Sequence, residues 1–327
     1  MKNIKTQPLD LHEEYYQASP RILESFPRFR PPLDIFFFKE QVAQLLLLSK
    51  ANERISADQR EEILKNSNQG LIFLSRKDHP TYAKHISKQL DLILMDTNLK
   101  PSEIALIFQH ALTEQVEAFM DQPVAPVFEN LQSDSLVLTE YLWQDPFRIK
   151  EFRKCLWPEH TLAKHSVNTT FIGLALYLRL YERELRRKHL DEVALGLLVH
   201  DLGMSKIPAF IRQKTTPLTR EELEKIREHC WVGAKSLHSL NIRSDTVLKQ
   251  ILEHQERLDG KGYPQKISGK QISIVAQICA VADSFCAMIT HRPYAEAQSR
   301  EEALKALSQS PGLNAKIVRT LQAIILG

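Results

Sequence analysis

Residues 191–208 read DEVALGLLVHDLGMSKIP, and the C-terminal half of the chain is read outward from them. The apolar run ALGLLV (194–199) ends on an adjacent imidazole and carboxylate, His200 and Asp201. A charge at the end of a buried run is costly unless it is paired or bound to a metal. The stretch therefore reads as a helix that delivers two ligand-type side chains to one place. Asp283 poses the same problem inside ISIVAQICAVADSFCAMITHRPY (272–294), where ICAVA and SFCAM flank it.

Three neighbouring segments carry related content. HTLAKHSVNTTFIGLALYLRLY (160–181) is an amphipathic helix with His165. LTREELEKIREHCWVGAKSL (218–237) reads as one helix with Thr219 as N-cap and His229 in its third turn. SDTVLKQILEHQERLDGKGYP (244–264) is a helix carrying His254, closed by a glycine-rich turn. Singly, each histidine has a bland explanation as a surface or hydrogen-bonded residue. The order His, His-Asp, His, His, Asp on five successive helices is much harder to obtain by chance. Imidazole with carboxylate suits iron, manganese or zinc, and a bridging carboxylate suits a pair of ions.

The N-terminal half reads differently. Residues 1–20 are polar, and Pro20, Pro27, Pro31 and Pro32 punctuate an extended entry. LDIFFF (33–38) and GLIFLSRK (70–77) read as strands, VAQLLLLSK (42–50) as a strand or a helix start, and SADQREEILKNSNQ (56–69) as a helix capped by Ser56. HPTYAKHISKQLDLILMD returns to helical period and closes a small α/β domain near Asp96. Beyond it PSEIALIFQHALTEQVEAFMDQ opens a helix on Pro101, Pro123 and Pro126 break it, and Pro146 interrupts the next. The expected class is α+β overall: a tail at 1–20, a regulatory α/β domain with linking helices at 21–133, and an all-α bundle at 134–327. The linking helices could carry a signal between the halves mechanically.

Composition excludes little. A net charge of +3 gives no argument for nucleic-acid or membrane binding. The four cysteines form no CxxC pair, which suits reduced thiols in a cytoplasmic protein. No apolar run is long enough to span a bilayer, and MKNIKTQPLDLHEEYY lacks the apolar core of a signal peptide.

HDLGMSKIP, LTREELEKIREHCWVG, EHQERLDGKGYP and VADSFCAMITHRPY resemble the HD-GYP family in order and spacing, from about Leu136 to Gly327. Other HD phosphohydrolases lack the GYP block. The resemblance implies a carboxylate-bridged centre of two divalent metals, iron or manganese with zinc as the alternative, that cleaves cyclic-di-GMP. His165, His200, Asp201 and Asp283 would hold the first ion, and Asp201 would bridge to a second held also by His229 and His254. Asp201 is thus the expected catalytic residue. Lys214, in KTTPL, together with Tyr263 and Arg292, would meet the substrate. Protein partners and a homodimer are compatible with a signalling role.

The chain departs from the family pattern at three places. Met204 stands where the family's HDxGK motif has lysine, Gln255 where it has a second histidine, and Thr161 where some members have a glutamate for a third metal. Loss of a cationic group at the scissile phosphate costs roughly 2–4 kcal/mol, or about 10²–10³ in rate. Lys206 is a candidate substitute. His160 would lie at the wrong helical phase to serve as a ligand. These departures predict a weaker second metal and a slow phosphodiesterase, or else a catalytically inactive module that binds cyclic-di-GMP or a protein partner. DGKGYP disfavours a general nucleotide phosphohydrolase.

Overall fold

The computed structural model describes residues 14–86, 90–95, 98–293 and 295–327. Residues 1–13 of the expected tail, Asp96 at the expected domain end and Tyr294 of HRPY lie outside the described residues. The chain divides into two compact units, 1–111 and 112–327, and the division falls inside the helix Pro101–Asp121.

The first unit holds an antiparallel sheet of β1 (Tyr15–Gln17), β2 (Ile35–Lys39), β3 (Gln44–Ser49) and β4 (Ile72–Ser75), in the order β1-β4-β2-β3. Strand β1 corrects the reading of a tail through residue 20. Tyr16 and Ala18 are buried and Tyr15–Gln17 pair with β4, but three residues are too few to show a strand period. The segment 42–50 resolves as a strand from Gln44. Ala43, at φ 47°, ends the short turn Glu40–Val42, and the chain returns antiparallel along β2. The helices of this unit are α1 (Pro20–Ser25), opened by Pro20 behind the cap Ser19, α2 (Ala57–Asn68) and α3 (His79–Ile86). Ser56 and Gln59 form a reciprocal capping box on α2. The helix Pro101–Asp121 is α4.

Among the described residues the second unit contains helices and two isolated bridges. Pro126 does not merely break α4; it sits in the first turn of α5 (Ala125–Gln144), where its missing N–H costs nothing. After the short α6 (Ile149–Phe152) comes α7 (Leu162–Leu180), buried from Ala163 to Leu178 except at Lys164. It packs against α8 (Arg187–Val199), against α13 (Ile274–Ile289), and against the final helix of the chain, Ala315–Leu326. Between α8 and α13 come α9 (Ala209–Arg212), α10 (Arg220–Arg227), α11 (His229–Ser239) and α12 (Asp245–Glu253). The expected single helix over 218–237 is therefore two, and His229 opens the second rather than sitting in a third turn. The Ile226 carbonyl accepts from the His229 ring at 2.7 Å, where an unbroken helix would offer it to the Cys230 amide.

No helix among the described residues is long and apolar enough to cross a membrane.

Candidate metal centre

The site is assembled from helix ends on four sides and the middle of α13. His200 follows the last residue of α8, His229 begins α11, His254 follows α12, and His165 lies in the first turn of α7. Three of these rings are aimed by the same local device. His200 Nδ1 bonds the Leu197 carbonyl at 2.8 Å, His229 Nδ1 the Ile226 carbonyl at 2.7 Å, and His254 Nδ1 the Ile251 carbonyl at 3.0 Å. A carbonyl can only accept, so each Nδ1 carries a proton and each Nε2 is the ring nitrogen turned inward. Such carbonyl partners fix ring orientation in metal-binding histidines.

Asp201 lies between the rings. Its Oδ2 is 3.7 Å from His200 Nε2 and 4.0 Å from His165 Nε2, while its Oδ1 is 3.3 Å from His229 Nε2 and 3.5 Å from His254 Nε2. One carboxylate thus offers an oxygen to each of two histidine pairs. Asp283 Oδ1 meets His165 Nε2 at 2.8 Å. Burial alone would raise the Asp201 carboxyl, but His200, His254 and His229 hold it well below the usual carboxylate range. Asp283 is likewise pulled down by His165 against the effect of burial. Burial lowers His200 to about 4 and outweighs the attraction of Asp201, leaving a neutral imidazole at neutral pH.

These groups fit a metal. His200 is fully buried, and its Nε2, 3.7 Å from Asp201 Oδ2, has no hydrogen-bond partner. Orphaned imidazole nitrogens in a core are costly unless something satisfies them. The ligand atoms of His165, His200 and Asp201 lie within 4.8 Å of one another, as do those of His229, Cys230 and His254. The buried clusters are built to bind divalent metal.

Two glycines let the backbones approach. A Cβ on Gly203 would stand 1.9 Å from the His229 carbonyl oxygen, so only glycine lets the Leu202–Lys206 turn touch the start of α11. A Cβ on Gly262 would stand 2.4 Å from Glu256 Cα, so the GYP turn lies directly on the chain that follows His254. We expect Gly203→Ala to destabilise the fold by about 1–3 kcal/mol, as overpacking does, and to move His229 away from Asp201. Thermal unfolding with and without added metal checks this: the metal-induced rise in Tm should shrink, and an undiminished rise would show that α11 has not moved.

The cluster opens into a cleft of about 900 Å³. Asp201 and Asp283, 9% and 8% exposed, face it, whereas His200 and His254 lie fully buried behind them. Lys214, Tyr263 and Arg292 all line the cleft. Lys214 is engaged by Glu222 at 2.7 and 2.9 Å, so its charge is shared with a carboxylate. The Tyr263 ring stands edge-on to His229, with centroids 6.1 Å apart, and Arg227 lies over its face. Met204 also lines the cleft, whereas Lys206 is exposed and is not among the lining residues. Gln255 does not turn toward His229 and His254; its amide nitrogen donates to Asp283 Oδ2 at 3.1 Å.

His160 was misread. Thr161 caps α7 by accepting from the Lys164 amide, so His160 precedes the helix and helical phase does not apply to it. Its ring packs against His165 with centroids 5.3 Å apart and lines the cleft, and burial lowers it to about 3. Recognising Thr161 as an N-cap would have placed His160 outside the helix.

A family model described as HD domain matches residues 160–314. A cyclic di-GMP phosphodiesterase of Pseudomonas aeruginosa is 28% identical over 210 residues, covering 64% of this chain and 50% of the relative. The cyclic di-GMP phosphodiesterase response regulator RpfG of Xanthomonas campestris is 37% identical over 140 residues, covering 42% of this chain and 36% of that protein. The chain thus spans half or less of the length of these relatives. Among solved structures, the HDG"Y"P protein Bd1817 of Bdellovibrio bacteriovorus has the same fold, with a TM-score of 0.63, 18% identity, and coverage of 96% of this chain and all of that one. Residues 160–314 of the chain are thus an HD domain, and the DGKGYP turn, 259–264, lies within it.

Proposed function

We propose that the protein is a metal-dependent cyclic-di-GMP phosphodiesterase of reduced activity, acting in second-messenger signalling. The observation that carries the reading is Asp201, whose two oxygens face two separate histidine pairs at the floor of an open cleft. His165, His200, Asp201 and Asp283 would hold one ion, and His229 and His254 would share Asp201 with the other. Iron or manganese suits the nitrogen and oxygen donors of the first position. Bound divalent ions would supply Lewis acidity at the phosphoryl oxygens and a nucleophilic water at neutral pH.

The chain's own residues do the rest. Asp201 stays anionic and orders both histidine pairs. Arg292 and Lys214 meet the substrate's phosphates from the cleft wall, Lys214 by exchanging Glu222 for phosphate. Tyr263, neutral because burial pushes its phenol up, offers a ring face or a hydroxyl to a guanine. A cleft of about 900 Å³ is at the upper end of ligand sites and is large enough for a two-nucleotide ring. None of the four cysteines is in a disulfide, in keeping with a reducing cytoplasm.

Met204 on the cleft wall favours a second reading, a module that binds cyclic-di-GMP without opening it. The test is metal analysis of the purified protein, followed by incubation with cyclic-di-GMP and Mn(II) or Fe(II). Conversion to a linear dinucleotide supports the enzyme. Saturable binding with no conversion by metal-loaded protein supports the module, and absence of both binding and conversion overturns both readings.

A further inference from the structure

We propose that Cys230 is a ligand of the second metal position, so that His229, Cys230, His254 and Asp201 form a four-donor site that takes zinc or another thiophilic divalent ion. The inference rests on the metal-centre reading above and specifies which ion that position prefers.

The spacings from His229 to His254, Cys230 and Asp201, and from Asp201 to His254, are close to those a tetrahedral ion would impose. Zinc bonds of about 2.0–2.2 Å to nitrogen and oxygen and about 2.3 Å to sulfur put neighbouring ligand atoms roughly 3.3–3.6 Å apart. Here His229 Nε2 and His254 Nε2 are 3.2 Å apart, and Cys230 Sγ is 3.4 Å from His229 Nε2. Asp201 Oδ1 is 3.3 Å from His229 Nε2 and 3.5 Å from His254 Nε2. All three side chains are buried, Cys230 and His254 completely and His229 at 2% exposure.

The arrangement also accounts for Gln255. This residue occupies the position of an imidazole in the family pattern, yet it turns to Asp283 and leaves the His229–His254 pair without a further donor from that side. Cys230, next in sequence to His229 at the start of α11, supplies one from another helix. The two positions then differ in kind. One offers nitrogen and oxygen alone, which suits manganese or iron, and the other adds sulfur, which suits zinc. On coordination the Cys230 S–H bond breaks, its proton passes to solvent, and the thiolate electron pair forms the metal bond.

Cobalt(II) titrated into the metal-free full-length chain tests this with a spectroscopic readout. Wild type should bind two equivalents, with visible d–d bands and a near-ultraviolet sulfur-to-cobalt charge-transfer band. Cys230→Ser, a near-isosteric change checked for folding by circular dichroism, should keep visible bands from the first position. It should lose the charge-transfer band and bind the second equivalent at least about 10–100-fold more weakly, the loss that outer partners alone can cause. Cys279→Ala should retain the band; its loss there would assign the sulfur elsewhere and overturn the proposal. Two bound cobalt ions without a charge-transfer band would overturn the Cys230 ligation while leaving the metal centre standing. No bound cobalt in folded wild type would overturn the metal centre and the proposal together.

Discussion

Asp201→Asn is expected to empty both metal positions and to lower hydrolysis of cyclic-di-GMP by about 10³-fold or more, with the bundle still folded. The substitution keeps the shape of the side chain and removes its charge. Among the described residues Asp201 is the one carboxylate within reach of all four histidines, at 3.3 to 4.0 Å. An amide has one oxygen to offer, and it is neutral, so it cannot serve both pairs. His229→Ala supplies the contrast. It removes a donor that faces only Oδ1, so the second ion should be lost while His165, His200, Asp201 and Asp283 keep the first. Elemental analysis of the two variants beside wild type checks this: about none against about one ion per chain. An Asp201→Asn protein with the wild-type metal content would show that the ions, if bound, lie elsewhere.

How much of this centre could be read from sequence depended on the chemistry of each residue's neighbours. His200, Asp201 and Asp283 were legible because charged or polar side chains interrupt apolar runs that must be buried. His165, His229 and His254 lie in ordinary amphipathic surroundings and were legible only through their order along the chain and the GYP block. The device that aims three of the rings was not legible, because it depends on the carbonyls of Leu197, Ile226 and Ile251 being left available where helices end or break. The break at Glu228 has no glycine or proline to announce it. Cys230 read only as one of four reduced thiols, since its nearness to His254 is a tertiary fact. The strands with long apolar runs, β2 and β4, were readable, whereas β1 is too short to carry a period, and 42–50 needed the left-handed Ala43 to decide between strand and helix. Lys214 was read as a phosphate contact from its match to the family lysine alone; nothing in that match indicated that Glu222, drawn back into the capping box of α10, would engage it.

The second large effect concerns Met204, where a cation is missing rather than a ligand. Met204 sits on the short turn Leu202–Lys206 directly after Asp201, is half-buried and lines the cleft. A lysine there can lay its methylenes along the wall where the methionine packs and extend its ammonium into the cleft, so it need not be buried unpaired. Charge on the phosphoryl oxygens is greatest at the transition state, and an ammonium held there stabilises it more than the bound substrate. We therefore expect Met204→Lys to raise kcat on cyclic-di-GMP by about 10²–10³-fold with a much smaller change in KM. The gain depends on loaded metal positions, so it should disappear in a Met204→Lys, Asp201→Asn double variant, which separates transition-state stabilisation from simple attraction of an anionic ligand. A fall in KM at constant kcat would mean the ammonium binds ground-state phosphate only. A folded, metal-loaded Met204→Lys protein that binds cyclic-di-GMP and still leaves it intact would mean that the limit on chemistry lies elsewhere in the cleft, and it would move the balance to the binding module.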